Sequence, residues 1–142
     1  MTTFSATTVQ IAPALDGLRI FLHVIGATIW VGGQFTLAAL VPILRKQSPE
    51  LPRVIARAFN KIGWPAFALL VITGFWNLTK IPSDAPKSYH AVVGIKMTVV
   101  LLSGAAAYLH SRSKNPKSMA IWGSVSGLAA IGATYVGVLL AG

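Results

Sequence analysis

Residues 20–44 read IFLHVIGATIWVGGQFTLAALVPIL, and this stretch decides the fold. Its 25 residues include no Asp, Glu, Lys or Arg, and His23 and Gln34 are its most polar side chains. An α-helix rises 1.5 Å per residue, so about 20 apolar residues cross the roughly 30 Å hydrocarbon core of a bilayer. The stretch therefore predicts a membrane-spanning helix.

Three further stretches of the same character follow, at residues 62–79, 91–110 and 118–141. Lys96 is the one residue with a full charge in these three stretches. The chain of 142 residues is 54% hydrophobic and 11% charged, with a mean hydropathy of +0.68, which is too apolar for an ordinary soluble domain. The sequence predicts an all-α, integral membrane four-helix bundle that forms a single domain over residues 1–142.

Basic residues are distributed unevenly between the segments that connect the predicted spans. Twelve Lys and Arg stand against three Asp and Glu, which gives a net charge of +9. Eight of the twelve follow spans one and three, whereas three lie before span one or after span two. Because Lys and Arg are enriched in cytoplasmic loops, both termini are predicted on the extracytoplasmic side of a bacterial inner (plasma) membrane. The basic excess then indicates contact with anionic lipid of the bilayer, not with nucleic acid.

The segment before span two has an amphipathic pattern. Arg53, Arg57 and Lys61 recur at intervals of four, and apolar residues fill the opposite side. Two interpretations stay open: a separate helix that lies on the membrane surface, or a cytoplasmic extension of span two.

Polar residues within the spans are the candidates for function. His23, Trp30 and Gln34 share a helical face of span one, and Lys96 and Ser103 share a face of span three. With both termini outside, His23 and Lys96 lie at a similar depth, and a lysine inside a membrane costs about 3 kcal/mol on insertion scales. We predict that the two meet, and that His23, Trp30 and Lys96 contact a cofactor or an anionic ligand.

A metal site is a related possibility. The chain has no cysteine, so metal ligands must come from His, Met, carboxylates or a porphyrin. A neutral imidazole binds copper or haem iron, and His90 is expected at the outer end of span three, where it could pair with His23. Simpler roles stay open: an interhelical hydrogen bond for His23, snorkelling of Lys96 to the surface, and packing for Trp30. No nucleophile–base–acid arrangement is present, which disfavours hydrolytic enzymes, and we assign no catalytic residue.

Several short motifs along residues 18–112 resemble the copper-resistance D (CopD) domain, a small multi-helix membrane protein. They are LHVIGATIWVGG at 22–33, GWPA at 63–66, TGFWNL at 73–78, GIK at 94–96 and YLH at 108–110. The first motif and the lysine that opens the later helix are also similar to HemJ-type protoporphyrinogen oxidases. The HemJ resemblance implies a role for His23 as a haem-iron ligand, with Lys96 near the cofactor.

Three functions are expected, of which the first two follow from these resemblances and the third from the glycines of the spans. The first expectation is a CopD-like protein that binds a metal or haem between spans one and three and handles or transports copper. The second is a HemJ-like protein that contains haem b and oxidises protoporphyrinogen. The third is a noncatalytic accessory subunit, which packs on a membrane protein partner or forms a homo-oligomer through the glycine-rich faces of its helices. The cofactor is therefore expected to be copper or haem b.

Overall fold

A computed structural model describes residues 11–141, and helices account for nearly all of them. Helix α1 (Ala14–Ala27), a π-helical turn (Thr28–Gly32) and helix α2 (Gly33–Gln47) follow one another without a break and form the first span. The other spans are α3 (Leu51–Leu78), α4 (Lys87–Arg112) and α5 (Pro116–Ala141). No β-strand occurs within this described part of the chain. The prediction of an all-α four-helix bundle is confirmed.

All four spans are long and apolar enough to cross a membrane. Large apolar side chains cover the outside of the bundle: Ile72, Leu128 and Val138 keep 64%, 69% and 64% of their surface exposed. Acyl chains can cover such side chains, whereas water would leave them unfavourably hydrated. The protein is therefore a multi-pass membrane protein whose helices contact the lipid bilayer.

Helix α3 begins well before the predicted second span. It runs without interruption from Leu51 through Pro65 to Leu78, so the basic segment at 51–61 is an extension of span two and not a separate surface helix. Pro52 lies in its first turn, where the missing backbone N–H leaves no hydrogen bond unmade. An even number of crossings places residues 11 and 141 on the same side of the membrane.

The helices pack as two antiparallel hairpins, the first span with α3 and α4 with α5. Gly26 lets the first pair approach closely, since a Cβ atom built there would lie 3.0 Å from the Ala66 carbonyl oxygen and 3.1 Å from the Leu70 nitrogen. In the second hairpin His110 lies over Gly123, and its Nδ1 donates a hydrogen bond to the Met119 carbonyl at 2.7 Å. Gly26 and Gly123 are thus points of close helix packing within the two hairpins.

The two hairpins meet at the π-helical turn. Trp30, in the middle of this turn, is 4% exposed, and its ring centroid lies 5.4 Å from that of Trp64 and 4.5 Å from that of Phe67. Phe67 in turn lies against Gly104 of α4, where a side chain would collide with its ring. Aromatic packing therefore joins the hairpins near the middle of the bundle.

Candidate ligand cavity between the hairpins

A cavity of about 820 Å³ lies between the halves of the four spans that are nearest residues 11 and 141, and these are called the outer halves below. Trp30, Ser103 and Ala130 line its inner end, and most of its wall is aliphatic. Its basic and amide side chains are Arg19, His23, Asn77, Lys80 and Lys96. Sites for small molecules and cofactors typically have volumes of about 300–1,000 Å³, apolar walls and a few convergent polar groups. The cavity has these properties.

His23 is held by a hydrogen bond that fixes which ring nitrogen carries the proton. Its Nδ1 lies 2.9 Å from the Thr73 hydroxyl oxygen, and that hydroxyl is 2.7 Å from the Leu69 carbonyl oxygen. The hydroxyl has one proton, which it donates to the carbonyl, so it can only accept from His23. The Nδ1 atom therefore carries the hydrogen, and the lone pair of a neutral ring is on Nε2. That nitrogen has no hydrogen-bond partner among the described residues, so it can bind a metal.

We expect Thr73→Val to remove the hydrogen bond that fixes the His23 tautomer, while the valine side chain still fills the space of the threonine. Valine matches threonine in shape but cannot accept a hydrogen bond, so the ring will populate both tautomers, whereas Thr73→Ser will keep the wild-type form. Nitrogen-15 NMR of histidine-labelled protein measures the tautomer directly, because protonated and unprotonated ring nitrogens differ widely in chemical shift. A Thr73→Val spectrum identical to that of the wild type would contradict the assignment.

Lys96 enters the same cavity from α4. Its side chain is half-buried and extends along α5 to Gly137, where a Cβ atom would lie 3.0 Å from the ammonium nitrogen. Gly137 is one turn from the described end of α5, so the side chain points towards the outer side. No residue of the described chain forms a salt bridge or hydrogen bond with this ammonium group. His23 and Lys96 therefore line one cavity, as predicted, and the charge of Lys96 is left without an anionic partner there.

Arg19 lies at the outer rim of the cavity, although its position in the sequence marked it only as one of the basic residues that indicate the orientation of the spans. Arg19 is 9% exposed, and it donates hydrogen bonds to the Asn77 side-chain oxygen and, at 3.3 Å, to Asp16. Lys80 also lies 3.3 Å from Asp16. Arg19 precedes His23 by one helical turn, and this i, i+4 spacing was the signal that could have revealed it.

A chain of hydrogen bonds closes the inner end of the cavity. The Trp30 ring N–H donates to the Ser103 hydroxyl at 3.1 Å, which donates to the Ser126 carbonyl at 3.0 Å. The Ser126 hydroxyl lies 2.9 Å from the Gln34 side-chain oxygen. These buried bonds connect the first span to α4 and α5, so Trp30 has a structural role as well as a place in the cavity wall.

His90 does not line the cavity. Its side chain is exposed, and its ring lies edge-on to Tyr89 with a centroid distance of 6.5 Å. Within residues 11–141 no group of three or more His, Asp or Glu could hold a metal ion. A metal site formed by His23 and His90 stays a prediction. Among the described residues that line the cavity, His23 is the one His, and there is no Asp or Glu.

Comparison with known proteins shows what the chain is similar to. The chain is 32% identical over 94 residues to a protein of Aquifex aeolicus (strain VF5) that is described only as an uncharacterized protein. The matched region covers 61% of this chain and 64% of the relative, so the chain spans less than two thirds of that protein's length. No protein-family model matches the chain. No solved structure matches it either.

Proposed function

We propose that the chain is a membrane haem protein that would bind haem b between its two hairpins, with His23 as a ligand of the iron. The observation that carries this proposal is the Nε2 of His23, which has no hydrogen-bond partner within residues 11–141 and lies at an apolar cavity of about 820 Å³. Metal-ligating histidines usually donate their second ring N–H to a fixed acceptor, and Thr73 is such an acceptor here.

The other residues of the cavity fit the same group. Haem b combines a flat apolar ring with two carboxylates, and the cavity combines aliphatic walls with Arg19, Lys80 and Lys96. Lys96 is half-buried and has no anionic partner among the described residues, and such a cation is costly to keep inside a membrane without an anion. The cavity thus combines a candidate iron ligand, His23, with apolar walls and the positive charge of Lys96.

Bound haem supplies reversible one-electron chemistry at its iron. The residues of this chain would orient it and exclude water: Thr73 fixes the His23 ring, and the aromatic cluster around Trp30 closes the inner end of the chamber. This arrangement supports the HemJ-like alternative, in which the protein oxidises a porphyrinogen, more than it supports copper handling. A copper site has fewer ligands available, since His23 stands without a second histidine in the cavity lining.

A titration with hemin tests the proposal. We expect the purified protein, in detergent or nanodiscs, to bind about one haem per chain, with a sharp Soret band that shifts on reduction, because one imidazole faces one chamber. Absorbance spectra and a pyridine haemochrome assay measure both. Metal analysis of the same sample provides the alternative outcome: copper retained without any uptake of hemin would contradict the haem proposal.

We also propose the bacterial inner membrane as the location, with residues 11 and 141 on the extracytoplasmic side. Eight of the basic residues lie at the opposite end of the bundle, which the positive-inside rule assigns to the cytoplasm. The cavity then opens near the extracytoplasmic surface. A protein partner or a homo-oligomer stays a prediction.

A further inference from the structure

We propose that a groove between α2 and the first half of α3 is a binding site for one anionic phospholipid. One acyl chain of the lipid lies in the groove, and its phosphate lies among the basic residues where α2 ends and α3 begins. The groove shares no lining residue with the cavity at the other end of the bundle, so the inference is independent of the proposed function.

The first hairpin is open at the end where α2 is connected to α3. Within the described chain no residue of α2 is buried, and the buried residues of α3 begin at Gly63. Leu40 and Ile55 both line the groove, yet they keep 39% and 36% of their surface exposed. The two helices thus leave a groove of about 500 Å³ between them that no side chain fills.

Two glycines keep this groove open. A Cβ atom at Gly33 would collide with the Phe59 ring, and one at Gly63 would lie 2.8 Å from it. The ring therefore packs into the space that these glycines leave, and it forms part of the groove wall without occupying the groove. Larger residues at 33 and 63 would force the ring out of this position.

The walls of the groove suit a hydrocarbon chain. Thr36 is the one lining residue with a polar side chain, and its hydroxyl donates to the Gly32 carbonyl at 2.8 Å. Beside Gly33 and Phe59, the other lining residues are aliphatic: Ile29, Leu37, Leu40, Ile55, Ala58 and Ile62. No charged residue lines the groove. Burial of apolar surface is then the main attraction that this groove offers to a ligand.

Positive charge is concentrated at the same end of the hairpin. Residues 45–61 include one acidic residue, Glu50, and five basic residues, and all six are exposed: Arg45, Lys46, Glu50, Arg53, Arg57 and Lys61. Basic residues next to the end of a membrane span attract anionic lipid headgroups. A ligand with a negative headgroup and an apolar chain therefore matches both the groove and the charges beside it.

These charges also favour a lipid over a second copy of the chain. Two copies inserted in the same orientation would bring their basic segments 45–61 to the same membrane surface. Packing through the groove would then place like charges close together, which is unfavourable. An anionic lipid instead reduces the charge of the segment.

Native mass spectrometry tests the site in protein released from nanodiscs that contain equal amounts of phosphatidylglycerol and phosphatidylcholine with identical acyl chains. We expect one phospholipid to stay bound per chain, with phosphatidylglycerol about tenfold in excess over phosphatidylcholine. Arg53→Gln/Arg57→Gln should reduce this excess to about twofold, because two of the nearby cations are lost. Ala58→Trp fills the groove and should remove most of the retained lipid of both kinds.

Two control variants separate a specific site from general attraction to the membrane. Lys114→Gln/Lys117→Gln removes two exposed cations at the same end of the bundle but in the other hairpin. Ala38→Trp adds the same bulk as Ala58→Trp at an exposed position of α2 outside the groove. Both should retain lipid as the wild type does, and circular dichroism should show the same helix content in all variants.

Several results would overturn the proposal. Equal retention of the two lipids would remove the role of charge, and an equal loss of preference in Lys114→Gln/Lys117→Gln would show attraction by net charge instead of a site. Retention of lipid by Ala58→Trp at the wild-type level would show that the acyl chain lies elsewhere. A lipid-free dimer that Ala58→Trp dissociates would identify a second copy as the occupant of the groove.

Discussion

His23→Ala is expected to abolish ligation of haem iron by the protein and to cause the largest functional loss of any single substitution in the cavity. The imidazole supplies the Nε2 lone pair, and methyl side chains cannot replace it. Within the described chain His90 and His110 cannot substitute: the first is exposed outside the cavity, and the second is bound to the Met119 carbonyl between α4 and α5. The sharp Soret band of the hemin-loaded protein should disappear and be replaced by the broad absorbance of hemin that is not ligated by protein.

His90→Ala is the matched control for this experiment, because it removes a histidine at the same end of the bundle but outside the cavity lining. We expect its spectrum and its haem stoichiometry to equal those of the wild type. External imidazole added to His23→Ala should restore part of the Soret band, since the substitution leaves space next to Gly74, whose Cβ position is 3.7 Å from the His23 ring. A His23→Ala spectrum that matches the wild type would show that another residue binds the iron.

Gly26→Leu is expected to destabilise the first hairpin strongly, because Gly26 lies directly against the backbone of α3. Even a Cβ atom there would lie 3.0–3.3 Å from backbone atoms of Ala66 and Leu70. A side chain could rotate away from such a contact, whereas these backbone atoms can move only if α3 itself shifts. Overpacking in a close-packed interior costs about 1–3 kcal/mol, and a leucine against backbone should lie at or above the upper end. Thermal unfolding of the purified protein, followed by circular dichroism and by the fraction that remains monodisperse, measures the loss.

Gly94→Leu provides the matched comparison. Gly94 is also a helical glycine in a span, but it is exposed, and nothing lies within 4 Å of its Cβ position. Leucine there should be neutral or slightly stabilising, because glycine is a poor helix former by about 1 kcal/mol. If Gly26→Leu unfolds at the same temperature as Gly94→Leu, the first span and α3 are not in the close contact described above.

The sequence was sufficient to predict the four spans, and the two polar residues that it singled out, His23 and Lys96, line one cavity. The length of the uncharged stretches is set by the thickness of the bilayer, and polar groups at equal depth in different spans avoid lipid by facing the interior of the bundle. The continuity of α3 through Pro65 was less predictable, because a proline signals a change of helix geometry without specifying whether the helix ends.

The role of Arg19 and the path of span one depended on tertiary contacts. Arg19 forms hydrogen bonds with Asp16 in its own helix and with Asn77 of α3, and only the packing of α1 on α3 brings Arg19 to Asn77. The predicted single stripe of His23, Trp30 and Gln34 assumed regular α-helical spacing. In the structure His23 contacts Thr73 of α3, whereas Gln34 contacts Ser126 of α5. The π-helical turn between them changes the direction of the helix face, and residue spacing alone does not reveal such turns.

That wide turn makes the length of the first span as important as its composition. Each residue of an α-helix advances the azimuth of the chain by about 100°. A π-helical turn takes up about one residue more than an α-helical turn, so loss of one residue between 28 and 32 would let the segment revert to a regular helix with α1 and α2 in nearly the same relative orientation. Loss of one residue between His23 and this turn, with the turn retained, would instead rotate the preceding part of α1 by about 100° relative to α2. His23 and Arg19 would then face away from the cavity with no change in their own identity.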